Sequence, residues 1–122
     1  MLPINVLNLN FYRITTIMNN PYRAYQHQAV LDSNPTKLVV KLYDFIFQAS
    51  YQKDEKRVRG LLSELIQNLN FDYELSGSLF QIYRYCQQLA RDAKFDEIID
   101  VLDPLRESWE VVAHEHIQRQ AV

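Results

Sequence analysis

The sequence predicts an all-α protein: an antiparallel four-helix bundle with a short additional helix at its N-terminal side. Three observations carry that prediction. The 122-residue chain holds only two glycines, Gly60 and Gly77. Its apolar residues after position 20 recur at spacings of three and four rather than two. No segment shows the alternation of a half-buried strand. A chain of this length has room for one domain and one modest core, and with 48% apolar and 23% charged residues its composition is that of a globular protein.

Each element follows from local signals. A short helix over residues 21–31 fits because Pro21 suits a first helical turn, Asn20 can cap it, and Tyr22, Tyr25, Ala29 and Val30 share one side. Asp32, Ser33 and Asn34 then interrupt the pattern. Asn34 followed by Pro35 starts the next helix, over residues 35–52, since the asparagine side chain caps orphan amides and proline fills a position that needs no donor. The charged stretch Lys53, Asp54, Glu55, Lys56 and Arg57 reads as the turn into a third helix, whose stripe is Val58, Leu61, Leu62, Leu65, Ile66 and Leu69. After a connection over residues 68–74, Leu75, Leu79, Ile82, Cys86, Leu89 and Ala93 form a heptad seam. A turn near Lys94 leads to a last helix with Phe95, Ile98, Leu102, Leu105, Trp109, Val112 and His116 on one side. Connections this short make neighbouring helices antiparallel. Pro104 lies inside the last helix, where loss of one hydrogen bond and crowding of the Asp100 carbonyl predict a kink. The bundle domain is expected over residues 20–117, with residues 1–19 an N-terminal extension that is flexible or folds back on it.

Several functions are excluded or disfavoured. A formal charge of -2, with both signs interleaved, supplies no broad positive field for a phosphate backbone, so nucleic acid is not an expected partner. One cysteine, Cys86, makes no internal disulfide, which fits a reducing cytoplasm. The opening residues lack the marks of a secretory signal, and no stretch is long and apolar enough to insert in a membrane. No nucleophile beside a base, carboxylate pair, glycine-rich phosphate loop or metal-ligand spacing stands out. His114 and His116 are two apart, a spacing that turns them away from each other on a helix, and His27 reads as a solvent-facing residue. The chain is therefore expected to be neither an enzyme nor a carrier of cofactor or metal.

The second helix, PTKLVVKLYDFIFQASYQ, is apolar over more of its circumference than a surface helix needs. Leu38, Leu42, Phe45 and Ala49 make one face, Val39, Tyr43 and Ile46 an adjacent one, and Val40 and Phe47 extend further round. It is either a central helix covered on a second side by the N-terminal segment, or part of a groove for an apolar segment of another protein. A third arrangement buries this face against itself in a homodimer. The chain's eight tyrosines suit a surface that is alternately wet and buried.

Two stretches point further. Asn20, Pro21, Tyr22, Arg23, Ala24, Tyr25 and Gln26, followed by Ser33 to Asp44 (SNPTKLVVKLYD), resemble the opening of the FliS family of flagellin export chaperones. Leu69, Asn70, Phe71 and Asp72, then Leu79 to Tyr85, and finally Leu105, Arg106, Glu107, Ser108, Trp109 and Glu110, are similar to later segments of that family in the same order, closing on its L-R-x-x-W pattern. The interval from Tyr43 to Phe71 is shorter than the family's by roughly four helical turns. The resemblance implies a cytoplasmic, non-enzymatic bundle. It would hold the disordered C-terminal segment of flagellin, prevent premature polymerisation and contact the flagellar export gate. Tyr22, Tyr25 and Gln26 match the family's tyrosine motif, and Leu38, Leu42 and Tyr43 match its client-binding hydrophobic segment. With Val39 and Ile46 from the same apolar surface, these residues make the expected client-binding set. The alternative is a structural bundle or homodimeric interaction module without a secretion client.

Overall fold

The computed structural model describes residues 35–121, with side chains described for residues 36–115. They form four helices: α1 (Pro35–Tyr51), α2 (Glu55–Gln67), α3 (Glu74–Arg91) and α4 (Phe95–Ala121). Consecutive helices pack on one another and α4 returns to pack on α1, which closes an antiparallel four-helix bundle. The direction shows in the α1–α4 contacts. Asp44 meets Arg106, whereas Lys37, earlier in α1, lines a groove with Ala113 and His114, later in α4. The expected helix over 21–31 and the extension over 1–19 lie outside the described residues.

The helix ends explain why the chain turns where it does. Lys53 adopts φ 56° and Ala93 φ 59°. Around Lys53, Asp54 N–H donates to the Ala49 carbonyl at 2.9 Å and Lys53 N–H to that of Ser50 at 3.0 Å. Around Ala93, Lys94 N–H donates to the Leu89 carbonyl at 2.8 Å and Ala93 N–H to that of Ala90 at 3.1 Å. Both are Schellman closures, built here without the usual glycine. Asp54 also caps α2, its carboxylate accepting from Arg57 N–H at 3.1 Å. That dual use shortens the expected turn: Glu55, Lys56 and Arg57 belong to α2. Between α2 and α3, Asn70 Oδ1 accepts from Asp72 N–H, and the buried Ser76 hydroxyl donates to the Asn70 carbonyl at 2.5 Å.

The expected apolar stripes of α2 and α4 face the core. Val58, Leu61, Leu62, Leu65 and Leu69 are buried, with Ile66 packed at the margin, and in α4 Phe95, Ile98, Leu102, Trp109 and Val112 are buried, with Leu105 partly so. The helix continues through Pro104, which is exposed, so the carbonyl left without its intrahelical donor lies on the solvent side. The seam of α3 is corrected. It buries Ser76, Leu79, Tyr83, Cys86, Gln87, Leu89 and Ala90. Leu75 and Ile82 are only partly buried, and Ala93 lies exposed in the turn after the helix. The helix is rotated because its polar side chains have interior partners: Gln87 Nε2 donates to the Arg59 carbonyl at 3.1 Å and to Ser63 Oγ at 2.8 Å, and the Tyr83 hydroxyl meets that of Tyr43.

Candidate functional site

Of the expected client-binding residues, Tyr22, Tyr25 and Gln26 lie outside the described residues. The other five, Leu38, Val39, Leu42, Tyr43 and Ile46, are brought together on α1 and are all buried, none more than 2% exposed. Their partners correct the picture of an open groove over these side chains. Tyr43 projects into the bundle centre, where its hydroxyl lies 2.6 Å from that of Tyr83 on α3 and accepts from Trp109 Nε1–H on α4 at 3.3 Å. The two tyrosine rings meet edge to face, with centroids 6.3 Å apart. Burial drives both phenols well above the ordinary tyrosine pKa, so they remain neutral hydrogen-bonding groups.

Beside this triad, the next residue of α1 makes the α1–α4 contact at the rim of the core. Asp44 receives a two-pronged contact from Arg106, Nε to Oδ1 at 2.6 Å and Nη2 to Oδ2 at 3.4 Å, while Nη1 of the same guanidinium reaches Glu110 at 3.0 Å. The hydrogen bond to Asp44, with the charges of both carboxylates, holds the Arg106 pKa above its ordinary value. Fork-to-carboxylate geometry of this kind fixes register as well as adding energy.

Above that pair, α1 and α4 leave an open groove of about 350 Å³, lined by Lys37, Val40, Lys41, Asp44, Glu110, Ala113 and His114. Val40 and Ala113 supply its apolar surface, and the flanking groups are charged or polar. Val40 and Phe47 are the parts of α1's wide apolar surface that remain half-buried, while Tyr51 at its end is 71% exposed. The arrangement can seat an apolar side chain between two helices and offer charges of both signs to its flanks.

Elsewhere, burial pushes the Cys86 thiol up to about 12, which makes it a poor nucleophile. Among the described residues, no group of three or more His, Cys, Asp or Glu side chains is placed to hold a metal. His114 is exposed on α4, and the side chain of His116 lies outside those described. No helix is long and apolar enough to cross a membrane among the described residues.

Sequence reasoning missed Tyr83 as the third member of the central triad. The signal was present, because Ser76, Leu79, Tyr83, Cys86 and Ala90 also step by three and four, but so does the seam through Leu75 and Ile82. It also missed the buried Glu64, whose backbone carbonyl and carboxylate both accept from Asn68 Nδ2, at 2.7 and 3.0 Å. Comparison with protein-family models, with curated proteins and with solved structures gives no match.

Proposed function

We propose that this chain is an export chaperone of the flagellin-binding type, which holds the disordered C-terminal segment of flagellin and releases it to the flagellar export gate. The observation that supports the reading is a contact between two motif stretches. Tyr43 and Asp44, which end the opening stretch of the family resemblance, touch Trp109 and Arg106 of its closing stretch. Residues more than sixty positions apart that carry the likeness thus act as one structural unit. The mechanism would be coupled folding and binding, in which the client becomes helical as it buries apolar surface and spends part of that gain on its own ordering. Reversible handover follows from the moderate affinity that remains.

Burial of Leu38, Leu42, Tyr43 and Ile46 limits how a client engages α1. It enters at the half-buried Val40 and Phe47, or displaces whatever covers the rest. The same burial supports a second reading, a structural bundle with no secretion client, because those side chains are already satisfied. Co-purification separates the two. Full-length flagellin is expected to be retained by this chain, and flagellin lacking its C-terminal segment lost; equal retention of both, or of neither, supports the structural reading. Leu42→Asp is no fair probe of binding, since a buried charge there unfolds the core. Val40→Glu in the groove and Tyr25→Ala are the informative variants, each expected to weaken client affinity with the helical content unchanged by circular dichroism.

A further inference from the structure

The outer face of α3 carries exposed features that packing among the described residues does not account for. At 3.6 residues per turn, Glu74, Gly77, Phe80, Gln81, Arg84 and Arg91 share an arc of about 120° on the side away from the buried Leu79, Tyr83 and Cys86, and all six are exposed. Phe80 is 38% exposed and stacks edge-on with Phe71, itself 62% exposed, at 6.1 Å between centroids. Two aromatic rings held together in water are a common anchor of protein interfaces.

Gly77 is unexplained by the monomer. A glycine inside a helix weakens it, yet a Cβ at this position meets nothing within 4 Å, and the glycine does not adopt positive φ. Neither packing against the described residues nor backbone conformation requires glycine here. A closely approaching outside surface would make use of its missing side chain.

The charges on this face are also laid out in two halves. Asp72 and Glu74 stand at its N-terminal end, and Arg84 and Arg91, with Asp92 after them, toward its C-terminal end; Arg84 and Arg91 donate to Gln87 and Gln88, and neither they nor Asp72 and Glu74 form an ion pair with a described residue. A face that is acidic at one end and net basic at the other is complementary to itself when a copy lies antiparallel.

We propose that this face docks a second copy of the chain, α3 against α3, about a twofold axis near Gln81. Such an axis makes the contact isologous and closed. It sets Gly77 beside the partner's Arg84 and Tyr85, brings the Phe80 rings of the two copies together next to the axis, and carries Asp72 and Glu74 to within about one turn of the partner's Arg91. The interface uses no residue of the α1–α4 groove, so it stands whether or not the chaperone reading does. An interface one helix wide and about 27 Å long belongs to the small, transient class, with half-association expected at high micromolar concentration.

Sedimentation equilibrium on the full chain, from about 10 to about 500 μM in low salt, tests the proposal. A monomer–dimer equilibrium is expected. Gly77→Gln should raise the melting temperature of the dilute monomer by roughly 3 °C while weakening dimerisation at least about tenfold by filling the notch. Gly60→Ala, at the chain's other open glycine, should raise the melting temperature and leave association unchanged. Arg91→Glu and Glu74→Lys should each weaken self-association when alone, and an equimolar mixture of the two should restore it. A chain that stays monomeric throughout, a dimer indifferent to either Gly77→Gln or Arg91→Glu, or a mixture that fails to recover overturns the proposal.

Discussion

The α1–α4 side of the bundle and the outer face of α3 are built from similar residues and put to opposite uses. On the first, Tyr43, Asp44, Arg106 and Trp109 find partners within the chain, and the aromatic rings are withdrawn from water. On the second, Phe71 and Phe80 stay exposed, and among the described residues Asp72, Glu74, Arg84 and Arg91 form no ion pair and none fills the space above Gly77. The difference separates the part of the surface whose chemistry the fold consumes from the part it leaves available. It also cautions against reading an apolar helix as a binding site from its sequence alone. The richest apolar helix, α1, supplies much of the core, whereas the more modest α3 keeps aromatic groups at the surface.

The sharpest way to break that comparison is through Trp109, which is fully buried. Trp109→Ala is expected to lower the unfolding free energy by about 3–5 kcal/mol in a urea titration, since it removes a large core side chain and leaves a cavity. A loss below about 1 kcal/mol would mean that α4 is not anchored there. Phe71→Ala on the other face should change monomer stability by less than about 1 kcal/mol.

The triad gives the next largest effect. Tyr43→Phe removes the partner of both Tyr83 Oη and Trp109 Nε1 and should cost about 1–3 kcal/mol, the penalty of stranding buried polar groups. Combining it with Tyr83→Phe should cost less than the sum of the two single changes, because the second substitution removes a hydroxyl already stranded. Strict additivity would show that the hydroxyl contact is not formed in solution.

A pH titration reads the same core differently. Burial raises Cys86 from an ordinary value of 9.0 to about 12, and raises Tyr43 and Tyr83 as well. For groups whose folded pKa lies above the unfolded one, stability is fully present below the unfolded pKa. It falls once the unfolded chain sheds protons that the native state still holds. The urea midpoint should therefore be flat up to about pH 8 and decline above pH 9, and Cys86→Ala should flatten the first part of the decline. A midpoint that rises between pH 9 and 11 would contradict the buried placement.

The Arg106–Asp44 pair is worth less, being partly exposed. A double-mutant cycle with Arg106→Ala and Asp44→Asn should give a coupling of about 1 kcal/mol, reduced in 0.5 M salt. The smallest effect has the opposite sign. Ala93 closes α3 at φ 59°, a conformation that L residues adopt at a cost. Ala93→Gly is expected to raise stability by about 0.5–1 kcal/mol in the same titration.

What the sequence by itself determined is local. The positions of α1 to α4 followed from the spacing of apolar residues, Pro35 stands at the start of α1, and the short connections made the bundle antiparallel. Each of these depends on residues a few positions apart, whose interactions are present in the isolated segment. The tertiary structure alone decided the rotation of α3, which the periodicity left degenerate between a seam through Leu75 and Ile82 and one through Ser76, Tyr83 and Gln87. It also decided that Tyr43 would be a core group rather than a surface one. The partners responsible lie 40 and 66 positions away, and the free energy of a hydrogen bond between distant helices leaves no periodic trace in the chain. For the same reason the wide apolar surface of α1 was legible as a need for cover, while the helices that supply it became visible only when the bundle closed.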